Sequence, residues 1–309
     1  MIKVLEIESG PAARPARWQD YLSLMKPRVM SLVVFTAFTG LIVADTPFDP
    51  VLGAFAILCV TVGAGASAAF NMAFEGDIDA LMRRTRARPV AAGRVSAEDA
   101  AVFGGLLAAL SVAMMGLAVN WLAAGLLAFT IFFYAVVYTR WLKRNTPQNI
   151  VVGGLAGALP PVIGWAAASG AAPLDAWLLC GLIFLWTPPH FWALSLYISG
   201  DYAKAGVPMM PLTAGPASTR RQILIYAVVM ALFALSPLAT GLGGWAYGAA
   251  AGIGGAVFIG LAVRLARSRA GEEGRPTTDA RRLFAFSILY LFALFSALLI
   301  ERAVPMLGA

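Results

Sequence analysis

Apolar stretches of about twenty residues alternate with short polar segments along most of the chain. A stretch of that length crosses a bilayer as a helix, and the apolar positions do not alternate as they would in a barrel strand. The pattern therefore predicts an all-α, polytopic membrane protein. Its nine transmembrane helices are expected at about 21–44, 51 to the acidic stretch after 70, 96–119, 121–142, 147–169, 174–197, 222–240, 245–265 and 282–300.

The first twenty residues differ from the rest of the chain. They are polar, contain two prolines and several charges, and lack the apolar core of a signal peptide. We expect a flexible cytoplasmic tail at 1–20, followed by a single transmembrane domain at 21–309.

Composition agrees with a membrane protein. Hydrophobic residues make up 60% of the chain and charged residues 13%, with a mean hydropathy of +0.78. Ordinary globular domains carry about twice that charged fraction. The net charge of +7 comes from basic residues in short loops between apolar helices, so it does not indicate nucleic-acid binding. Cys59 and Cys180 lie alone in separate apolar stretches and are expected to be small buried residues.

The distribution of basic residues predicts the orientation. With the N-terminus in the cytoplasm, all but one of the 23 lysines and arginines fall on the cytoplasmic side, and only Arg302 lies outside. Cytoplasmic loops are enriched in lysine and arginine. The chain is therefore expected to be multi-pass in the cytoplasmic (inner) membrane, with its polar motifs on the cytoplasmic side.

The stretch 71–94 carries the most informative chemistry. Asn71, Glu75 and Asp79 recur every four residues and would share one face of a helix, at a depth where polar groups usually mark function. Asp77 would point about 200° away from Glu75 unless the helix loosens at Gly76. Oxygen ligands of this kind suit Mg²⁺, and the neighbouring arginines suit the oxygens of a diphosphate. The arginines could equally only set the membrane orientation.

A second polar motif follows the sixth predicted helix. His190, the single histidine, comes directly after two prolines, at a depth expected to match that of Asn71. An imidazole can ligate haem iron or bind a propionate or diphosphate, but neighbouring carbonyl groups could also satisfy it. Asp201, Tyr202 and Lys204 follow at the helix end. Because the second and sixth helices run in the same direction and both end in polar motifs, we expect two related four-helix halves plus helix 9.

Four stretches resemble the UbiA superfamily of intramembrane prenyltransferases, in the branch of the protoheme IX farnesyltransferases. They are NMAFEGDIDALMRRTRARPVAAGR at 71–94, LMKPRVMSLVVFTAFTGL at 24–41, YTRWLKRNTPQNIVVGGLAGALPPVIGW at 138–165 and FLWTPPHFWALSLYISGDYAKAGVPMMP at 184–211. The family usually has aspartate where this chain has Glu75. It also has two or more carboxylates in the second motif, where Asp201 stands alone.

The resemblance implies transfer of a farnesyl group from farnesyl diphosphate to a vinyl group of haem B, with Mg²⁺ as the cofactor, haem O as the product and a haem A synthase or another oxidase-assembly protein as a partner. The catalytic candidates are Asn71, Glu75, Asp79, Arg83 and Arg84. The candidate metal ligands are Asn71, Glu75, Asp77, Asp79 and Asp201. The candidate substrate-binding residues are Arg88, Tyr138, Asn149, His190, Asp201, Tyr202 and Lys204.

Several alternatives stay open from the sequence. Asn149 could contact diphosphate or only cap a helix, and Tyr138 could line a substrate groove or belong to the aromatic belt of the membrane. Another UbiA-type acceptor, such as a quinone precursor or a chlorophyllide, is the nearest rival. A transporter with intramembrane charges is a rival from a different class.

Overall fold

The computed structural model describes residues 15–307, and every regular element in that range is a helix. The all-α prediction is therefore confirmed for these residues. The first half contains α1 (Trp18–Leu24), α2 (Pro27–Val43), α3 (Pro50–Phe74), α4 (Gly76–Leu81), α5 (Ala97–Ala118), α6 (Trp121–Phe132), a π-helix (Phe133–Leu142) and α7 (Lys143–Asn145).

The second half repeats the pattern of long helices joined by short ones. It contains α8 (Asn149–Ala158), α9 (Pro160–Ser169), α10 (Leu174–Tyr197), α11 (Ser199–Lys204), α12 (Met210–Thr213), α13 (Gly215–Phe233), α14 (Ser236–Thr240), α15 (Trp245–Arg267) and α16 (Thr278–Leu307).

Eight segments of the described chain are long and apolar enough to cross a membrane. The α6, π-helix and α7 segments form one of them, α8 with α9 a second, and α13 with α14 a third. The remaining expected span, α2, has only 17 residues and a shorter apolar part at Met30–Val43. Length and composition thus support eight spans, and they do not confirm the predicted count of nine.

The spans form a closed arrangement. Consecutive spans pack against one another along the chain, and α16 returns to α2. The α2 helix also packs on α9, and α10 packs on α16, so α2, α9 and α10 lie toward the inside. The α2–α9 contact depends on glycine, because a Cβ atom at Gly40 or Gly164 would lie about 2 Å from a backbone oxygen of the other helix. Small residues allow this close approach between membrane helices.

The two halves share a local detail that supports their relation. The α3 helix breaks at Glu75, with φ −117° and ψ 15°, and the six-residue α4 follows. The α10 helix breaks at Ile198, with φ −118° and ψ 21°, and the six-residue α11 follows. The second and sixth predicted helices therefore end in the same way, as their sequence positions suggested. We call the end of the bundle that contains both breaks the motif end.

Some boundaries differ from those expected. Residues 1–14 of the expected tail lie outside the described part of the chain, but Trp18–Leu24 is helical and Asp20 accepts a 2.8 Å bond from Arg94. The first predicted helix is interrupted because Lys26 adopts a left-handed backbone (φ 54°) before Pro27. The π-helix was not predicted, since no local sequence pattern specifies one.

Candidate active site

The three evenly spaced polar residues of the first motif lie in the protein interior. Asn71 and Asp79 are nearly inaccessible, and Glu75 is completely buried at the break between α3 and α4. An ionised carboxylate at such a position is costly unless it is paired. The structure therefore has to supply partners for these groups.

Each of the three groups is paired with a different cation. The Lys26 Nζ atom donates to Asn71 Oδ1 at 2.6 Å. The Lys143 Nζ atom donates to Glu75 Oε2 at 2.5 Å. Arg88 spans both oxygens of Asp79 from one nitrogen, at 2.8 Å each. These six residues are called the charge cluster below.

The charge cluster is a single electrostatic unit. Burial lowers the pKa of Lys26 to about 7, and Arg88 acts in the same direction, while Glu75 and Asp79 oppose the shift and Lys143 adds to it. The charges of the cluster therefore influence one another. The left-handed backbone of Lys26 is uncommon for a residue other than glycine, and such conformations concentrate at functional sites. It begins α2 with the ammonium group directed at Asn71.

Two buried oxygen atoms at this end have no hydrogen-bond partner within the described residues. They are Oε1 of Glu75 and Oδ1 of Asn149. Glu75, Asp79 and Asn71 supply the oxygen donors that Mg²⁺ prefers, and the unpaired Glu75 oxygen fits a ligand atom. No group of three or more histidine, cysteine, aspartate or glutamate side chains is arranged around one point in residues 15–307. An ion bound by Glu75, Asp79 and Asn71 would have to take the rest of its shell from water or substrate.

Asp77 does not join the charge cluster. Its carboxylate is well exposed and forms a two-point bond with Arg144 at 2.9 and 2.8 Å, and these bonds lower the pKa of Asp77. The loosening expected at Gly76 does occur, one residue earlier at Glu75, but it does not turn Asp77 inward.

The predicted arginines occupy two environments. Arg88 belongs to the charge cluster, whereas Arg83 and Arg84 are exposed. Arg84 still lies within electrostatic range of Tyr202, whose pKa burial raises and Arg84 lowers. Of the three predicted arginines, only Arg88 therefore contacts a carboxylate of the first motif.

The π-helix shapes one wall of the site. Its wide turns allow Thr139 Oγ1 to accept from Asn71 Nδ2 at 3.3 Å while donating to the Tyr134 carbonyl at 2.8 Å. The rings of Tyr134 and Tyr138 lie 5.4 Å apart, and the Tyr138 ring packs against Gly153. Lys143 follows immediately after the π-helix. Segments of this kind are frequent at functional sites.

The second motif supplies a tyrosine rather than a carboxylate to the interior. Tyr202 is buried and lies within electrostatic range of Glu75 and Arg88. Asp201 is half-buried, Lys204 is exposed, and neither side chain has a polar partner in the described part of the chain. Asn149 is completely buried at the start of α8, where its Nδ2 atom donates to the Thr146 carbonyl at 2.7 Å.

His190 lies away from the charge cluster, in the contact between α10 and α16. Its Nδ1 atom is 2.7 Å from Ser287 Oγ, and its ring stacks between Trp186 and Phe284. His190 stands eight residues before the break in its helix, whereas Asn71 stands four before its own. Along the helix axes, His190 therefore lies about 6 Å further from its break than Asn71 does from its own; the equal depth expected from the sequence stays a prediction.

An apolar cavity of about 130 Å³ leads away from the charge cluster. Lys26 and Tyr134 stand at its polar end, and Ser67, Gly63 and Val60 follow one another along successive turns of α3 toward the membrane interior. Leucine, isoleucine, alanine and proline side chains form most of the remaining wall. Such a lining suits a long hydrocarbon group attached to a polar head.

Sequence reasoning missed two of the three cluster cations. Lys26 and Lys143 were counted only as markers of orientation, because each pairs with a residue 45 or 68 positions away. The lysine directly before a proline at a helix start was the one local signal. Ser287 was also missed, and no spacing in the sequence points to it.

Comparison with known proteins places the chain in a family. Residues 33–289 match the UbiA prenyltransferase family. The chain is 63% identical to the protoheme IX farnesyltransferase of Caulobacter sp. (strain K31), over 96% of this chain and 92% of that protein. It is 56% identical to the protein of the same name from Hyphomonas neptunium (strain ATCC 15444), over 97% and 98% respectively.

Solved structures agree on the fold. A digeranylgeranylglyceryl phosphate synthase matches with a TM-score of 0.75 at 17% identity, over 92% of this chain and 98% of that one. A UbiA homologue from Archaeoglobus fulgidus bound to GPP and Mg²⁺ matches with a TM-score of 0.60 at 15% identity, over 90% and 99%. With the fold, the two motif-bearing breaks and the near full-length relatives in agreement, the chain belongs to the UbiA prenyltransferase family.

Proposed function

We propose that this protein transfers the farnesyl group of farnesyl diphosphate to a vinyl group of haem B and so forms haem O. The observation that carries the proposal is the similarity along almost the whole chain to proteins named protoheme IX farnesyltransferase. The charge cluster beside an apolar cavity supports it, since this arrangement suits a diphosphate with a long hydrocarbon tail.

The charge cluster is the proposed diphosphate site. Asn71, Glu75 and Asp79 would hold Mg²⁺, with the unpaired Oε1 atom of Glu75 as one ligand. When bound, Mg²⁺ neutralises charge that develops on the leaving diphosphate. Lys143 and Arg88 balance the two carboxylates, and the protonated form of Lys26 adds a positive charge that attracts the diphosphate trianion together with its metal ion.

The cations of the cluster exchange partners when substrate binds. Lys26, Lys143 and Arg88 release the oxygens that they now contact and donate to the diphosphate instead. Arg84 and Lys204, which are exposed, add donors from the rim. Fixed donors directed at the leaving group stabilise the transition state, and removing one typically costs about 3 kcal/mol.

The apolar cavity holds the farnesyl tail and excludes water from C1. The C1–O bond breaks and its electron pair leaves with diphosphate. A vinyl carbon of haem B then forms the new C–C bond, and water adds to the adjacent carbon and loses a proton, leaving the hydroxyl group. The protein supplies no covalent nucleophile in this scheme; His190 is proposed to bind the acceptor.

We place the reaction at the cytoplasmic side of the inner membrane, on the basis of the charge asymmetry between loops. The end of the bundle opposite the motif end carries Asp45 and Arg302, which form an ion pair. That contact supports the expectation that the C-terminal end of α16 lies outside. A haem A synthase is the proposed partner because it would consume haem O.

The decisive experiment incubates purified protein in lipid with haem B, farnesyl diphosphate and Mg²⁺, and measures the mass of the haem product. We expect the mass of haem O and stoichiometric diphosphate release, both lost on chelation of Mg²⁺. Prenylation of an added quinone precursor with no change in haem would indicate the rival acceptor. A protein that moves substrate across vesicles without releasing diphosphate would be a transporter.

A further inference from the structure

Helix α10 holds one residue of α16 at two points. Trp186 Nε1 donates to the backbone carbonyl of Ser287 at 2.7 Å, and one turn later His190 Nδ1 lies 2.7 Å from the Ser287 hydroxyl. Ser287 is completely buried, and His190 is more than nine-tenths buried. The position of the imidazole is therefore fixed relative to both helices.

The hydrogen bonds around Ser287 decide which nitrogen of His190 carries the proton. The Ser287 hydroxyl lies 2.7 Å from the Phe284 carbonyl, which can only accept. The single hydroxyl proton is therefore directed to that carbonyl, and Ser287 Oγ must accept from His190. It follows that Nδ1 of His190 is protonated and that Nε2 carries a lone pair.

Aromatic rings and Ser287 surround most of the imidazole, and the Phe191 ring packs edge-to-face against it with a centroid distance of 5.3 Å. Trp186 and Phe284 stack on the two faces of the ring, with centroid distances of 4.1 and 4.5 Å. Ser287 occupies Nδ1, and Nε2 has no hydrogen-bond partner among residues 15–307. A neutral imidazole with one free lone pair is the form that binds iron. In metal-bound histidines, a hydrogen-bond partner of the other ring nitrogen normally fixes this tautomer.

We propose that Ser287 is a positioning residue that holds His190 in the Nδ1–H tautomer and so presents Nε2 to the iron of the acceptor haem. The iron-binding part rests on the proposed function. The tautomer part does not, since it concerns the protein without substrate. Ser287 acts through His190 and does not itself touch the substrate.

The tautomer can be measured directly, because the chain contains a single histidine. Protein carrying ¹⁵N-labelled histidine and a histidine-free affinity tag would give NMR signals from His190 alone. We expect the proton on Nδ1 in the haem-free wild type and a shift toward Nε2–H in Ser287→Ala. A wild-type proton on Nε2, or an unchanged tautomer in Ser287→Ala, would overturn the proposal.

A matched control separates positioning from general packing. Ser195→Ala removes an equally buried hydroxyl group, which donates to a backbone carbonyl of α10 at 2.9 Å and does not contact His190. It should leave the His190 signals unchanged, whereas Ser287→Thr should retain the wild-type tautomer. Loss of the tautomer in Ser195→Ala as well would assign the effect to packing and overturn the specific role of Ser287.

Iron binding is tested with two porphyrins. Titration with ferric haem B should show a histidine-bound spectrum, and Ser287→Ala should bind haem about tenfold to a hundredfold more weakly, as when other partners of metal-bound histidines are lost. Iron-free protoporphyrin IX should bind both proteins equally. Equal weakening for both porphyrins would show a merely structural role. Failure to form haem O with the tautomer intact would refute the proposed function and not the tautomer.

Discussion

Replacing Lys143 by methionine should destabilise the metal-free protein, because the Glu75 carboxylate loses its cationic partner. The substitution keeps most of the side-chain volume but removes the ammonium group that contacts Glu75 Oε2 at 2.5 Å. Because Oε1 already has no partner in the described residues, the completely buried carboxylate would then be unpaired. Removing one member of a buried ion pair costs about 3 to 5 kcal/mol.

That loss corresponds to a fall in melting temperature of roughly 5 to 8 °C for a chain of this length. Thermal unfolding of the purified protein in detergent, followed by circular dichroism, measures it. Adding Glu75→Gln to Lys143→Met should recover most of the loss, because the unpaired charge is then absent. Arg86→Met is the control, since Arg86 is exposed and forms no ion pair within residues 15–307.

Mg²⁺ alone, without diphosphate, should narrow the difference in melting temperature between Lys143→Met and the wild type. The metal ion gives the buried carboxylate a new partner, so it stabilises the folded variant by binding to it. Two results would refute this reasoning. Lys143→Met could melt at the same temperature as the wild type in the absence of metal, or the difference in melting temperature could persist unchanged at saturating Mg²⁺.

Three further expectations concern catalysis, topology and packing. Asp79→Ala should abolish diphosphate release, because the loss of a metal ligand removes several kcal/mol of transition-state stabilisation. Glu75→Asp should remain active. Normal turnover by Asp79→Ala would contradict the Mg²⁺ assignment. Reporter fusions after Arg94 and after Ala309 should report opposite sides of the membrane, because seven spans are expected between the two points; a shared side would exclude an odd number of spans between them. Gly164→Leu should give little monodisperse protein in size-exclusion chromatography, since a Cβ atom there would lie 1.9 Å from a backbone oxygen of α2; a normal profile would contradict the close α2–α9 packing.

The parts of the fold that depend on local sequence were predictable. Hydropathy located the spans because each one must satisfy its own backbone in lipid. The spacing of Asn71, Glu75 and Asp79 predicted a shared face, and all three are indeed buried at one end of the bundle. Gly76, directly before Asp77, indicated a weak point in the helix, and the break lies one residue earlier, at Glu75.

The parts that depend on distant contacts were not predictable. Lys26 and Lys143 reach the first motif from other helices, and a charge at a helix end looks the same whether it faces solvent or a buried carboxylate. Asp77 and Asp79 differ by two positions and have similar neighbours in sequence. They lie in different environments because Arg144 contacts Asp77 on the outer face of α4, whereas Arg88 contacts Asp79 on the inner face.

The two helix breaks explain why the halves are not equivalent in charge. In the first half the residue at the break is Glu75, and the buried residue four positions later is Asp79. In the second half the break residue is Ile198, and the buried residue four positions later is Tyr202. Asp201 comes one residue before the buried Tyr202 and is itself only half-buried. The repeat therefore directs both short helices at the same interior, but only the first half brings carboxylates into it. This difference favours a Mg²⁺ site built from Asn71, Glu75 and Asp79 of the first motif, with Tyr202 facing it from the second, and it argues against Asp201 as a metal ligand.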